Sequence, residues 1–139
     1  MSAPIVLGYD GSVSAQAALA QAATLAKELD AEVVVVFGFY ISPLGGGDVR
    51  DYKAALEKVG SDAADDGVKR LEAEGVKATS RLVSAKPADA IMQVADETGA
   101  RLVVVGTVGE GALTGTILGS VVLKLVHRCQ VPMLVVPTA

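Results

Sequence analysis

The chain has 139 residues, the length of one ordinary domain, and a single domain over residues 1–139 is expected. Hydrophobic residues make up 51% of it, which supplies a core and excludes intrinsic disorder. Sixteen acidic residues against 12 basic give a net charge of −4, and aromatics reach only 4% with no Trp, which argues against a nucleic-acid partner.

Short β-branched runs alternate with segments of helical period. After Pro4, Ile5-Val-Leu-Gly-Tyr-Asp10 is a compact apolar run that ends in an acid and reads as the first strand. Ala15, Ala18, Leu19, Ala22, Leu25, Ala26 and Leu29 then recur at helical spacing, with Ser12 or Ser14 placed to cap the helix. Glu32 to Phe39 holds four consecutive valines, the mark of a strand buried on both faces. Ile41 to Asp48 contains Ser-Pro-Leu-Gly-Gly-Gly and reads as a loop.

A charged segment from about Arg50 to Glu74 reads as the second helix. Tyr52, Leu56, Val59, Ala63 and Leu71 lie on its expected inner face, Gly60 and Gly67 weaken it, and Gly75 stops it. In Val76 to Ser84, Lys77, Thr79 and Arg81 alternate with apolar residues, which points to a strand at a sheet edge. Pro87 opens a third helix with Ala88, Ile91, Met92 and Ala95 inward, and Gly99 ends it. Leu102 to Val105 is the fourth strand, Ser120 to Arg128 a helix apolar almost all round, and Val131 to Val136 the last strand. This βαβαβαβαβ order predicts an α/β fold with parallel strands, right-handed crossovers and helices on both faces.

The longest uncharged apolar stretch, Val33 to Ile41, falls far short of the ~18–20 residues that span a bilayer. Met-Ser-Ala-Pro places no basic region before an apolar one, so no secretory signal is read and a cytoplasmic location is expected. One cysteine, Cys129, excludes an internal disulfide, and with one histidine, His127, it cannot build a zinc site of the usual ligand count, so no metal site is assigned.

Ligands of open α/β sheets settle at the carboxyl ends of the strands. The informative loop there runs from Gly106 through Gly109, Gly111 and Gly115 to Gly119-Ser120. Glycine lets backbone N–H groups approach an anion, and Gly119-Ser120 would open a helix whose free amides and dipole favour phosphate. A Walker A loop needs a lysine, and none lies between Arg101 and Leu123. The dinucleotide fingerprint fails too, because Gly8-Tyr-Asp-Gly11-Ser12 lacks its third glycine. A response-regulator reading of Asp10 would need an acid and a lysine where the chain has Ser84 and Pro137.

The spacing Gly106-x2-Gly109-x9-Gly119-Ser120 resembles the nucleotide signature of the universal stress protein family. The likeness runs through Tyr9-Asp10-Gly11-Ser12, Ser14, Ala18-Leu19, Lys86-Pro87 and Val131-Pro132-Met-Leu-Val135-Val136, over essentially the whole chain. It implies a five-stranded parallel sheet in a doubly wound, three-layer α/β/α sandwich, Rossmann-like and similar to the adenine nucleotide alpha hydrolases. It further implies Asp10 against adenosine, backbone of Gly38 or Phe39 near the base, and Gly106, Gly109, Gly119, Ser120 and Val121 around ribose and phosphates. ATP, with Mg²⁺ to offset its charge, is the ligand expected from the resemblance. Glu110 stands where many relatives carry a basic residue and would repel a triphosphate, which brings AMP and cyclic AMP into competition.

From the residues alone, Asp10 has a local alternative, bonding amides of the turn that follows it. The resemblance also implies a homodimer paired through the C-terminal strand, residues 131–136, whose Val131, Leu134, Val135 and Val136 would be a hazard on an open edge. No catalytic residue is assigned, since His127 lies at the far end of its helix. The expected function is therefore a regulatory nucleotide-binding module. A slow ATPase using Asp10 or Glu110 with Lys86 at hand, and an interaction domain that binds nothing small, are the alternatives. Whether the 41–48 loop closes over a ligand is not legible in the sequence.

Overall fold

A computed structural model describes residues 3–40, 49–108 and 119–138. The elements are β1 (Ile5–Gly8), α1 (Val13–Leu29), β2 (Val33–Phe39), α2 (Val49–Ala73), β3 (Ala78–Ser84), α3 (Pro87–Thr98), β4 (Leu102–Gly106), α4 (Ser120–Arg128) and β5 (Met133–Val136). All strand pairs are parallel and the sheet order is β3-β2-β1-β4-β5. The chain thus builds outward from β1 to one edge, then returns past it to build the other.

Strand period explains the two cores. Side chains alternate across a sheet, so Ile5, Leu7, Val33 and Val35 pack under α1 and α2, while Val6, Val34 and Val36 pack under α3 and α4. Val33 to Val36 are all at most 5% exposed, as expected of a central strand covered on both faces. β3 is an edge strand, in keeping with its polar alternation, and β5 forms the other edge.

The ends of α1 and α3 follow local chemistry. Ser12, extended at φ −66° and ψ 164°, caps α1 by accepting the Ala15 amide at 3.1 Å. Pro87 starts α3, and Gly99 ends it in the left-handed region at φ 62°. Alanines at 15, 18, 22, 23 and 26 form the buried stripe of α1.

In α2 the expected inner face is rotated. Tyr52 and Val59 are both 58% exposed, and the buried stripe is Gly60, Ala64, Gly67 and Leu71. The glycines are its contact points. A Cβ on Gly60 would stand 2.6 Å from Leu82 Cδ1 and 2.7 Å from Phe37 Cδ1, and one on Gly67 would stand 3.1 Å from Tyr9 Cδ2. Their missing side chains let α2 sit close on β2 and β3, which outweighs about 1 kcal/mol of helix propensity at each. α4 has the expected bounds but a narrower inner face: Val122 and Leu125 are buried, while Leu123 and Val126 are exposed. β5 starts at Met133 rather than Val131. Among the described residues no helix is long and apolar enough to cross a membrane.

Candidate functional site

The strand order reverses between β1 and β4, and there the carboxyl ends of the strands leave a cavity of about 560 Å³. Its floor is Gly8 to Asp10 from β1 and the turn beyond it, with Val36 to Gly38 from β2 on one side. Val105, Gly106 and Val108 from the end of β4, and Gly119 to Val122 at the start of α4, close the other side. Pro87 and Ile91 of α3 and Val59 of α2 complete an apolar wall.

Three close approaches shape this cavity. A Cβ on Gly38 would lie 2.9 Å from Ala85 O and Pro87 Cα, so glycine is required where the α3 entry crosses β2. A Cβ on Gly8 would meet Ile91 Cδ1 at 2.6 Å. A Cβ on Gly106 would stand 2.6 Å from Ser14 O, so the first turn of α1 presses directly on the end of β4.

The cavity gathers six of the expected residues: Asp10, Gly38, Gly106, Gly119, Ser120 and Val121. Phe39 does not line it; its side chain is buried, 7% exposed, and Gly38 takes the lining position. Gly109 and Glu110 lie outside the described residues, as does the 41–48 loop. Asp10 has the local bond expected of it, Oδ1 accepting the Ser12 amide at 3.0 Å, while the residue also borders the cavity. Lys86 is not in the lining; its Nζ rests 5.2 Å from the centroid of the Tyr40 ring. His127 is exposed on the last turn of α4.

At the β4–α4 side the chemistry is that of a helix start. Gly119, extended at φ −67° and ψ 160°, is the N-cap of α4 and brings no side chain to cap it. Its own amide donates to Thr107 O at 2.8 Å, which ties the start of α4 to the exit of β4. The first-turn amides of α4 and the positive end of its dipole therefore stand at the cavity wall beside the Ser120 hydroxyl. No Lys, Arg or His is among the described lining residues, and the one carboxylate is Asp10. Among the described residues no group of three potential ligands could hold a metal ion.

Sequence reasoning puts Tyr9 at the end of the first strand and offers Ser14 as a cap, but does not show what either one touches. Tyr9 lines the cavity and donates its hydroxyl to Asp66 Oδ2 at 2.8 Å, which also accepts Arg70 Nε at 2.8 Å. Burial, then the bond to Asp66, pushes the Tyr9 pKa up to about 12, and the Tyr9 hydroxyl is the main cause holding Asp66 below the usual carboxylate range. Ser14, expected as one of two possible caps, instead turns inward, and its Oγ accepts the Val108 amide at 3.2 Å. A tyrosine before Asp10 and a serine in the first turn of α1 were visible signals; what they touch was not.

The model of the universal stress protein family matches residues 1–137. A universal stress protein of Methanocaldococcus jannaschii is 33% identical over 136 residues, covering 95% of this chain and 80% of the relative. A solved universal stress protein in complex with cAMP is 29% identical, with a TM-score of 0.75 and coverage of 99% of this chain and all of the other. A family member from Burkholderia pseudomallei is 28% identical with a TM-score of 0.78, covering 97% of this chain and 96% of its own.

Proposed function

The chain belongs to the universal stress protein family, and from that premise we propose that its cavity binds an adenine nucleotide and that the bound state regulates contacts with partners. The observation that carries the reading is the pairing of two chemistries in one cavity. An apolar slot between Gly38, Pro87 and Val59 suits a flat base, and the start of α4, whose N-cap Gly119 brings no side chain, suits a phosphate. Asp10 between them can accept from ribose hydroxyls or from an adenine amino group. The solved relative holding cAMP supports the same assignment.

The charge inventory bears on which nucleotide. The described lining carries no cation, and the sequence from Thr107 to Ser120 has Glu110 and no Lys or Arg. A triphosphate brings up to four negative charges, which amide dipoles alone do not balance. AMP or cyclic AMP, with one phosphate, fits this wall better than ATP, which would arrive with Mg²⁺. Calorimetric titration of nucleotide-stripped protein is expected to show AMP or cyclic AMP binding at least ~10-fold more tightly than Mg-ATP, a difference of about 1.4 kcal/mol. Tighter binding of Mg-ATP would reverse that order. Silence from all three would leave the interaction-domain reading.

We also propose that the chain acts as a homodimer joined along β5. That edge presents Met133, Leu134 and Val135, each only half-buried, beside an open row of backbone groups. Sedimentation equilibrium at micromolar concentration is expected to give twice the chain mass, and the mass of one chain would overturn the proposal. A cytoplasmic location, where adenine nucleotides are at hand, agrees with this reading. Dedicated catalysis is not part of it, and turnover of Mg-ATP lost in Asp10→Ala with binding retained would be evidence for an enzyme instead.

A further inference from the structure

We infer that Ser14 is a positioning residue for the phosphate end of the cavity, acting through the exit of β4 rather than by touching the ligand; the inference rests on the nucleotide-binding reading above. Among the described residues Ser14 and Tyr9 are the two buried side chains that carry a hydroxyl, Ser14 at 4% exposure. A buried hydroxyl is costly unless it is bonded, so its partner is informative. That partner is not part of the α1 cap, which Ser12 supplies. Ser14 Oγ instead reaches across the fold to accept the amide of Val108, 94 residues away in sequence, at 3.2 Å.

The contact is continuous with the cavity wall. Gly106, two residues before Val108, packs so closely on the backbone of Ser14 that a Cβ would lie 2.7 Å from Ser14 C. Thr107, between them, accepts the Gly119 amide through its carbonyl at 2.8 Å. Gly119 is in turn the N-cap of α4. The first turn of α1 therefore fixes residues 106–108, and residues 106–108 fix the start of α4 through one further bond. Gly106, Val108, Gly119 and Ser120 all line the cavity, whereas Ser14 does not. With Val108 released, the β4 exit and the α4 amides lose their common anchor, and a phosphate meets donors that are no longer set in place.

The test compares Ser14→Ala with Ala20→Gly, an exposed mid-helix change in α1 that lowers stability without touching β4. Binding of AMP and of cyclic AMP is measured by calorimetry well below each variant's melting temperature. Ser14→Ala is expected to weaken binding about tenfold, the usual consequence of losing one buried bond, while Ala20→Gly leaves affinity unchanged. Exchange of the Val108 amide should be faster in Ser14→Ala only. Unchanged affinity in Ser14→Ala, or equal losses in both variants, would overturn the inference alone. A wild-type chain that binds neither nucleotide would overturn the reading beneath it as well. Should Ser14→Ala not fold, the unaltered chain still decides: bound nucleotide is expected to slow exchange of the Val108 amide, and an unaltered rate would sink the inference.

Discussion

Gly106→Val is expected to lower the melting temperature by roughly 10 °C and to remove nucleotide binding altogether. The reason is backbone against backbone: even the Cβ would stand 2.6 Å from the Ser14 carbonyl oxygen and 2.7 Å from its carbon, neither of which can rotate aside. To admit the side chain, α1 must lift from β4, and its alanine stripe loses contact along the helix. Overpacking of this kind costs about 3 kcal/mol at the upper end of its range, and in a chain of this size each kilocalorie moves the midpoint by about 3–4 °C. Thermal melting followed by circular dichroism, with calorimetry on the surviving fold, checks both parts. A variant that melts with the wild type and has only lost its ligand would mean that Gly106 serves the phosphate and that the close packing on Ser14 has been overstated.

The second large effect belongs to pH. Tyr9 is held neutral in the fold by burial first and by its bond to Asp66 second, with a pKa pushed up to about 12, while a tyrosine in the unfolded chain titrates near 10. Because the folded value is the higher one, this contribution is whole below about pH 10 and is lost as pH rises from about 10 to about 12. Two pH units correspond to about 2–3 kcal/mol. Chemical denaturation of the wild type should therefore weaken most steeply between about pH 10 and about pH 12, by about 2 kcal/mol. Tyr9→Phe is expected to be less stable at neutral pH yet to lose less over that alkaline interval, which separates Tyr9 from the lysines that titrate there too. Asp66 supplies the opposite limb: its folded pKa is depressed, so its contribution is present above the unfolded value and fades as pH falls through the folded one. Equal alkaline slopes in the two proteins would show that Tyr9 ionises without cost to the fold.

What the sequence revealed and what it concealed divide along a physical line. An unbroken run of valines points to a covered strand, and Lys77, Thr79 and Arg81 in alternation point to an edge, so β2 and β3 were legible from local pattern. Gly119-Ser120 as a helix start was legible because helix entry chemistry is local. The face of α2 was not. Gly60 and Gly67 look like weak points when only propensity is counted, and their use appears once Phe37, Leu82 and Tyr9 are known to lie beneath them. The same holds for Ser14. Two serines near a helix start look equivalent in one dimension, and only the proximity of α1 to β4 assigns one to the cap and the other to Val108. For the site, Asp10, Gly38 and Gly106 at strand ends came together while Phe39 did not, and the distant contacts of Tyr9 and Ser14 took their meaning only from the fold.

The cavity is assembled from stretches around residues 8–15, 36–38, 59, 87–91, 105–108 and 119–122, no two of which are neighbours in the chain. No short fragment contains it, because the lining runs from Gly8 to Val122. A nucleotide therefore has nothing to grip while the chain is still searching for its fold, and its free energy is absent from the rate of folding. It enters afterwards, as a deeper well from which the native state must climb, so occupancy acts as a brake on unfolding. With the proposed ligand bound, the influence falls on lifetime rather than on birth: the same chain, made at the same speed, is expected to persist longer when nucleotide is plentiful.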